Sequence, residues 1–415
     1  MNVLFIDWLK PAWHFYKKKR LAAKWAYGQK LASASQADCR KVVLISNYGR
    51  GFLCNSKYIA KALERLYPGE YDIVLLVNEI DSAIPSYVRQ VKYDSRDAQR
   101  ELANARFWID NCRGPKFVPK RSDQLYIQTW HASLGPKRCE RDVEDHLDAS
   151  YVSDAKNDGS IIDLMLADNR LEAEKYQRAF WYEGPVLKTG IPRNAPLFGN
   201  NVTLKKKVRK DLNIPNGAAL CLYAPTFRAN WAISQYEFDF QALIDALERR
   251  FGRPFVFVYR LHPNFSDLPR PAFFNGHIDA TDYDDAQELL SAVDVLISDY
   301  SSIMEDFMLT GRPGFQYVPD IEDYLDDRGL YYSLDSRPFP VASTQAELLD
   351  CVADFDASRF ESKRREFMDM AGFVEDGRGD ERVANLIHKL SNPGVGIHDV
   401  LADKDIWLRS GKEDK

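Results

Sequence analysis

The sequence contains no Walker A pattern, no G-x-G-x-x-G and no H-E-x-x-H. Readings as a P-loop NTPase, a dinucleotide-dependent dehydrogenase or a zincin therefore lose their support. Six cysteines (Cys39, Cys54, Cys112, Cys139, Cys221 and Cys351) lie far apart with no C-x-x-C pair. That spacing argues against a zinc site and a disulfide framework, and favours a reducing cytosol. No apolar run is long enough to span a bilayer, and no secretory signal is visible. There is no internal repeat and no low-complexity tract. Positive charge is not in excess either: the net charge of −5 excludes nucleic-acid binding through the overall field of the molecule.

What is present describes a soluble core. Apolar residues make up 45% and charged residues 28% of 415 positions, enough chain for two domains of ordinary size. Residues 1–36 stand apart. They carry seven Lys/Arg (Lys10, Lys17, Lys18, Lys19, Arg20, Lys24 and Lys30) against one acid, Asp7. On a helical wheel Lys10, Lys17 and Lys24 share one side, while Trp8, Ala12, Phe15, Tyr16, Ala23 and Tyr27 gather on the other. Such a basic amphipathic helix, assigned to residues 1–40, is expected to lie in an anionic membrane surface. The alternative is a helix that packs its aromatics on the protein body. Pro11 is expected to limit where the helix begins.

From Lys41 the pattern is α/β. Val42–Ile45, Asp72–Asn78, Phe107–Ile109, Leu125–Trp130 and Ile162–Leu166 read as strands, with helices after Asn55 (expected as a cap), at 96–105 and at 170–180. The turn-rich Gly190–Pro196 segment reads as a hinge. A basic helix follows (Lys205, Lys206, Lys207, Arg209, Lys210), and the alternation then restarts. Strands are expected at Leu220–Ala224, Phe255–Tyr259 and Val295–Ile297, and helices at 240–251 and 285–292. The expected organisation is two doubly wound Rossmann-like domains, 41–196 and 197–375, facing a central cleft, with C-terminal helices over 376–415. Ligands in such folds sit at the carboxyl ends of the strands.

Four motifs leave strands at that edge. Thr129-Trp130-His131-Ala132-Ser133-Leu134-Gly135-Pro136-Lys137-Arg138 puts a histidine at a strand end, where a pKa near neutrality suits a general base. Tyr223-Ala224-Pro225-Thr226-Phe227-Arg228 ends a strand in a proline turn and a cation. In Tyr259-Arg260-Leu261-His262-Pro263 the Arg and His alternate on extended chain, so both can face one side. Asp299-Tyr300-Ser301-Ser302, opening a helix at Ile303, offers N–H groups and hydroxyls to a phosphate, or simply caps that helix. Asp284-Asp285 and Asp326-Asp327 are read as helix caps or solvated turns rather than metal ligands.

Together these motifs resemble the CDP-glycerol glycerophosphotransferase family of teichoic-acid and capsule enzymes. The segments above are similar to the family's T-W-H-G-T, Y-A-P-T-[WF]-R, R-x-H-P and D-Y-S-S-x-x-x-D-[FY], the last ending at Asp306-Phe307. Further likenesses are Cys54–Ile59, Thr189–Asn194, Tyr283–Asp285 and Arg328–Tyr331. The resemblance implies a GT-B-type fold and transfer of a polyol phosphate from CDP-glycerol, or CDP-ribitol, to a polyprenyl-linked saccharide or polyol-phosphate acceptor, with loss of CMP. It implies work at the cytoplasmic face of the membrane, with no prosthetic group and the need for a divalent metal left open. His131 is then the expected base and His262 a second catalytic group. Arg260, Ser301, Ser302, Asp299, Thr226 and Arg228 are expected on donor phosphates, with Thr129, Lys137 and Asp306 in support. Ala132-Ser133 in place of Gly-Thr bears on acceptor choice, and a single GT-B unit favours single or short-chain addition. The rivals are a GT-B nucleotide-sugar glycosyltransferase or epimerase, and a non-catalytic membrane assembly factor.

Overall fold

The computed structural model describes residues 4–401 apart from 200, 227–236, 263–264, 266–268 and 323–328. Helix α1 (Leu4–Ala34) runs through Pro11 instead of starting after it. Proline forfeits one ladder bond there, a small loss in a helix of 31 residues. The C-terminal part of α1 is docked on the body. Gly28 meets the Phe117 carbonyl so closely that a Cβ would lie 2.2 Å from its oxygen. Gln99 Nε2 donates to Lys24 O (2.7 Å) and Phe117 O (2.8 Å), and Arg20 pairs with Asp94 at 2.7 Å. Tyr27 lies beneath the Arg96 guanidinium, whereas Leu21 and Trp25 face outward with 48% and 39% of their surface exposed.

The first lobe contains β1 (Asp38–Ile45), α2 (Cys54–Leu66), β2 (Asp72–Val77), β3 (Val88–Lys92), α3 (Arg96–Asn104), β4 (Ala105–Asp110), β5 (Leu125–Gln128), α4 (Ala149–Ile161), β6 (Leu164–Ala167), α5 (Arg170–Ala179) and β7 (Val186–Lys188). Its seven parallel strands are ordered β3-β2-β1-β4-β5-β6-β7. Alternation along β1 divides the core: Val42 and Leu44 join Ile59 and Leu63 of α2, while Val43 and Ile45 join Leu102 and Trp108. The expected Asn55 cap is not formed. The α2 cap position is Leu53, and Asn55 points inward from the first turn.

After the Pro192–Leu197 turn the second lobe begins with α6 (Val202–Asp211), β8 (Ala219–Ala224), α7 (Phe240–Phe251), β9 (Phe255–Tyr259), β10 (Ile278–Asp279) and α8 (Ala286–Ala292). It continues through β11 (Val295–Ser298), α9 (Ile303–Met308), β12 (Gly314–Tyr317), β13 (Val341–Ala342), α10 (Gln345–Ala353) and α11 (Ala357–Ala371). The six parallel strands are ordered β10-β9-β8-β11-β12-β13. In each lobe the winding reverses beside the first strand, which opens a crevice at the carboxyl edge. Both crevices face the same seam. Lys57 of α2 crosses it to Asp285 and Glu288, each at 2.6 Å.

The chain then returns. Helices α12 (Gly379–Leu390) and α13 (Ile397–Leu401) lie on the first lobe, where Val383, Leu386, Ile387 and Val400 are buried with Ile59 and Leu63. The second lobe is thus held between two crossings of the chain. Leu386→Ala, by leaving a cavity in that packing, should destabilise the protein by about 2–5 kcal/mol. The check is the first transition in urea unfolding, and an unchanged midpoint would mean that α12 is not part of the first lobe's core.

Candidate active site

The loop after β5 carries the site. Trp130 adopts φ +52°, a left-handed conformation that a bulky residue holds only when its surroundings impose it. They do so at both peptide groups: Trp130 N–H donates to Gln128 Oε1 (2.9 Å), and Asn55 Nδ2 donates to Trp130 O (3.0 Å) and Thr129 Oγ1 (3.1 Å). The indole stacks on the His131 ring at 4.4 Å between centroids. Behind it sits Arg113, over the rings of Trp130 and Phe180 and paired with the buried carboxylates Glu140 and Asp158. Thr129 is buried and serves this loop from within.

His131 is solvent-exposed as a residue, with its ring against Trp130 and the Asn111–Cys112 segment. Its Nδ1 lies 2.6 Å from Asn111 O. A carbonyl only accepts, so Nδ1 carries the proton and Nε2 presents a lone pair. Enclosure by protein, with smaller repulsions from Arg193 and Arg113, brings the imidazole pKa down to about 4 against the pull of Asn111 O. The ring is neutral at pH 7, as a base must be.

The same loop reaches the second lobe. Lys137 Nζ donates to Thr226 Oγ1 at 3.2 Å, Tyr331 N–H donates to Pro136 O at 2.6 Å, and Gly135 comes against Ser302, where a Cβ would lie 3.3 Å from the Ser302 Cβ. Two segments far apart in sequence, 134–139 and 329–332, are therefore one seam. Arg260 Nη1 donates to the carbonyls of Ala280 (3.1 Å) and Tyr283, which fixes its guanidinium beside the 280–285 loop. Burial and the neighbouring positive charges of Lys137, Arg50 and Arg260 hold the His262 pKa below its ordinary value. With protein charges alone His262 is neutral and adds no positive charge. A diphosphate at these cations would reverse the local field and favour its protonation.

Several expected contacts take other roles. Asp299 is buried and accepts from Thr226 N (3.0 Å) and Thr226 Oγ1 (2.6 Å). A carboxylate there holds the β8 loop through Thr226. Asp306, a buried residue of α9, is bound by Arg193 Nη2 at 2.8 and 3.0 Å. Helix α9 has only six residues and Ser302 makes no side-chain cap bond, so a long helix dipole is not what the Ser turn offers. Its backbone is aimed instead. Buried Arg337 donates to the carbonyls of Asp299 (3.0 Å) and Ser301 (3.3 Å), and trans peptides then turn the N–H groups of Tyr300 and Ser302 away from Arg337. Arg228 and Asp326-Asp327 lie outside the described residues. Asp285 caps α8 through Gln287 N (3.0 Å) and Glu288 N (3.1 Å), and among the described residues no group of His, Cys, Asp or Glu is arranged to hold a metal.

Arg193, Arg50, Arg113 and Asp168 were not singled out by sequence as site residues, and Asn55 was read only as a helix cap. Asn55 and Arg193 fall within family-like segments, which was the available signal. Asp168 accepts from Ser133 Oγ and Asn169 Nδ2, anchoring the loop two residues beyond His131. Its carboxyl and that of Glu375 are both pushed up by burial.

The model of the CDP-glycerol:poly(glycerophosphate) glycerophosphotransferase family matches residues 29–389. The chain belongs to that family. It is 30% identical over 370 residues to the teichoic acid poly(glycerol phosphate) polymerase of Bacillus subtilis strain 168, covering 84% of this chain and 49% of that protein. It therefore spans about half the length of that relative. A polymerase of the same description from Bacillus spizizenii is 27% identical over 360 residues, with coverage of 83% and 91%. The wall teichoic acid polymerase TagF, in a His-to-Asn form with CDPG, superposes with a TM-score of 0.75 at 27% identity, covering 86% of this chain and 90% of that one. The glycerophosphotransferase family member described here thus has the GT-B-type fold.

His131 also carries a pH signature independent of turnover. Its folded pKa of about 4 lies below the ordinary 6.5, so the unfolded chain binds more protons between those values. Stability should therefore fall as pH drops from 6.5 towards 4. Relative to His131→Asn, the wild type should lose more thermal stability between pH 7 and pH 5; parallel curves would show that His131 is not held neutral.

Proposed function

We propose that this chain transfers a glycerol-phosphate unit from CDP-glycerol to a hydroxyl of a membrane lipid-linked saccharide or polyol-phosphate acceptor, releasing CMP, in the synthesis of a teichoic acid or capsule-type polymer. The observation that carries this reading is His131: a cleft-facing imidazole whose Nδ1–H is committed to Asn111 O, in a chain whose family is defined by this transfer.

In this reading the acceptor oxygen attacks the phosphorus bearing the glycerol, and Nε2 of His131 takes its proton. The P–O bond to CMP breaks in line with the attack, and the displaced electron pair leaves on the CMP phosphate. Phosphoryl transfer needs mainly positioning and charge stabilisation. Arg260, Lys137, Arg228 and the Ser301-Ser302 turn supply donors to the diphosphate, and Thr226 is kept in place by Asp299. His262, protonated once the donor's charge is present, stabilises the departing phosphate.

Residues 1–36 would hold the enzyme to anionic lipid on the cytoplasmic face, with Leu21 and Trp25 exposed for that contact. Among the described residues no helix is long and apolar enough to cross a membrane. In this reading residues 41–196 form the acceptor-side domain and residues 197–375 the donor-binding domain.

The test is CMP release from CDP-glycerol and CDP-ribitol with a lipid-linked saccharide acceptor, followed by product mass. Release with CDP-glycerol and a product heavier by glycerol phosphate is expected; release only with CDP-ribitol would reassign the polyol, and silence with both would overturn the transfer. His131→Ala should lower the rate by about 100- to 10,000-fold, the usual contribution of a general base.

A further inference from the structure

A chain of buried polar contacts runs from the His131 loop to the Ser turn without touching the cleft. Asn55, fully buried on α2, donates from Nδ2 to Thr129 Oγ1 and to Trp130 O, and its Oδ1 accepts from Arg193 N–H at 3.0 Å. Arg193, on the hinge turn, carries the link onward to Asp306 of α9, whose Oδ2 also accepts from Gln287 Nε2 at 2.9 Å. Asp306 lies one turn beyond Ser302. All three side chains are buried, so neither charge of the Arg193–Asp306 pair can trade its partner for water.

We propose that Asn55 and Arg193 form one positioning device that sets the His131 loop of the first lobe against the Ser301-Ser302 turn of the second. The left-handed Trp130 needs a donor to hold its carbonyl, and Asn55 provides it. Any sliding of the lobes at the hinge must break the Arg193 contacts on one side or the other. The inference rests on His131 being the base of the transfer proposed above. The groups that act on the His131 ring are Arg193 from the hinge and Arg113 and the Asn111 carbonyl from the segment after β4, where the Cys112 thiol also lies 3.7 Å away.

Three variants test it. Asn55→Asp keeps the shape and the acceptor for Arg193 N–H, but a carboxylate has no N–H for Thr129 or Trp130 and repels the Trp130 carbonyl. It should lower kcat by about 100-fold, the effect of roughly an ångström of misplacement, with KM for CDP-glycerol unchanged. Hydrogen exchange at 130–135 should quicken with it. Arg193→Lys keeps the charge but loses the fork, so kcat should fall while the acid limb of kcat/KM stays in place. Arg193→Met removes the charge that lowers the His131 pKa, so that limb should move to higher pH. Unchanged kcat and exchange in Asn55→Asp would overturn the proposal, as would a profile in Arg193→Met that is scaled without being shifted. The His131 imidazole can be titrated by NMR without turnover. If wild type released no CMP while the titration and exchange responded as stated, the transfer reading would fail and the positioning device would stand.

Discussion

The site depends on a loop from one lobe being held at a fixed distance from a turn on the other, and the buried ion pair of Arg193 with Asp306 fixes that distance from behind. Removing either partner would strand a charge in the interior, which is far more costly than losing a surface pair. The pair sits at the hinge, where the chain passes between lobes, and Asn55 joins it to the histidine loop. Lys57 with Asp285 and Glu288, and the 134–139 strip against 329–332, secure the same seam nearer the solvent. The lobes are therefore registered at the back and along the flank of the cleft.

On that frame the electrostatics divide labour between two histidines. His131 is kept neutral by enclosure and by cations beyond its ring, with the tautomer set by one carbonyl. His262 is kept neutral first by burial and then by the positive charges of Lys137, Arg50 and Arg260. The first arrangement suits a group that accepts a proton in every turnover. The second suits a group whose charge follows the arrival of a dianionic substrate. In both cases burial and positive neighbours act in the same direction, with the Asn111 carbonyl opposing them at His131 alone.

Much of the fold was legible. The β-branched runs at 42–45, 255–259 and 295–297 are central strands buried on both faces, and such strands have few other uses. Strands β3, β7, β10, β12 and β13 escaped notice because runs of two to five residues are too short to carry a periodic signal; all but β12 lie at a sheet edge. Asn55 was misread because a cap and a buried amide one position inside the helix look identical in sequence. Asp299 and Asp306 were recognised as motif positions. Their direction, inward to Thr226 and Arg193, is a property of neighbours 73 and 113 residues away.

By itself the sequence determined the two α/β windings, the family, and the strand ends at which His131, Arg260, His262 and the Ser turn emerge. Those follow from local patterns of apolar residues and turn formers, which act over a few residues. Tertiary structure alone decided which nitrogen of His131 is bare, which carboxylates face the cleft and which hold it together, and how α12 returns to complete the first lobe. Each of these is an outcome of hydrogen bonding and burial between distant segments, and long-range pairing leaves no trace in the spacing of one chain.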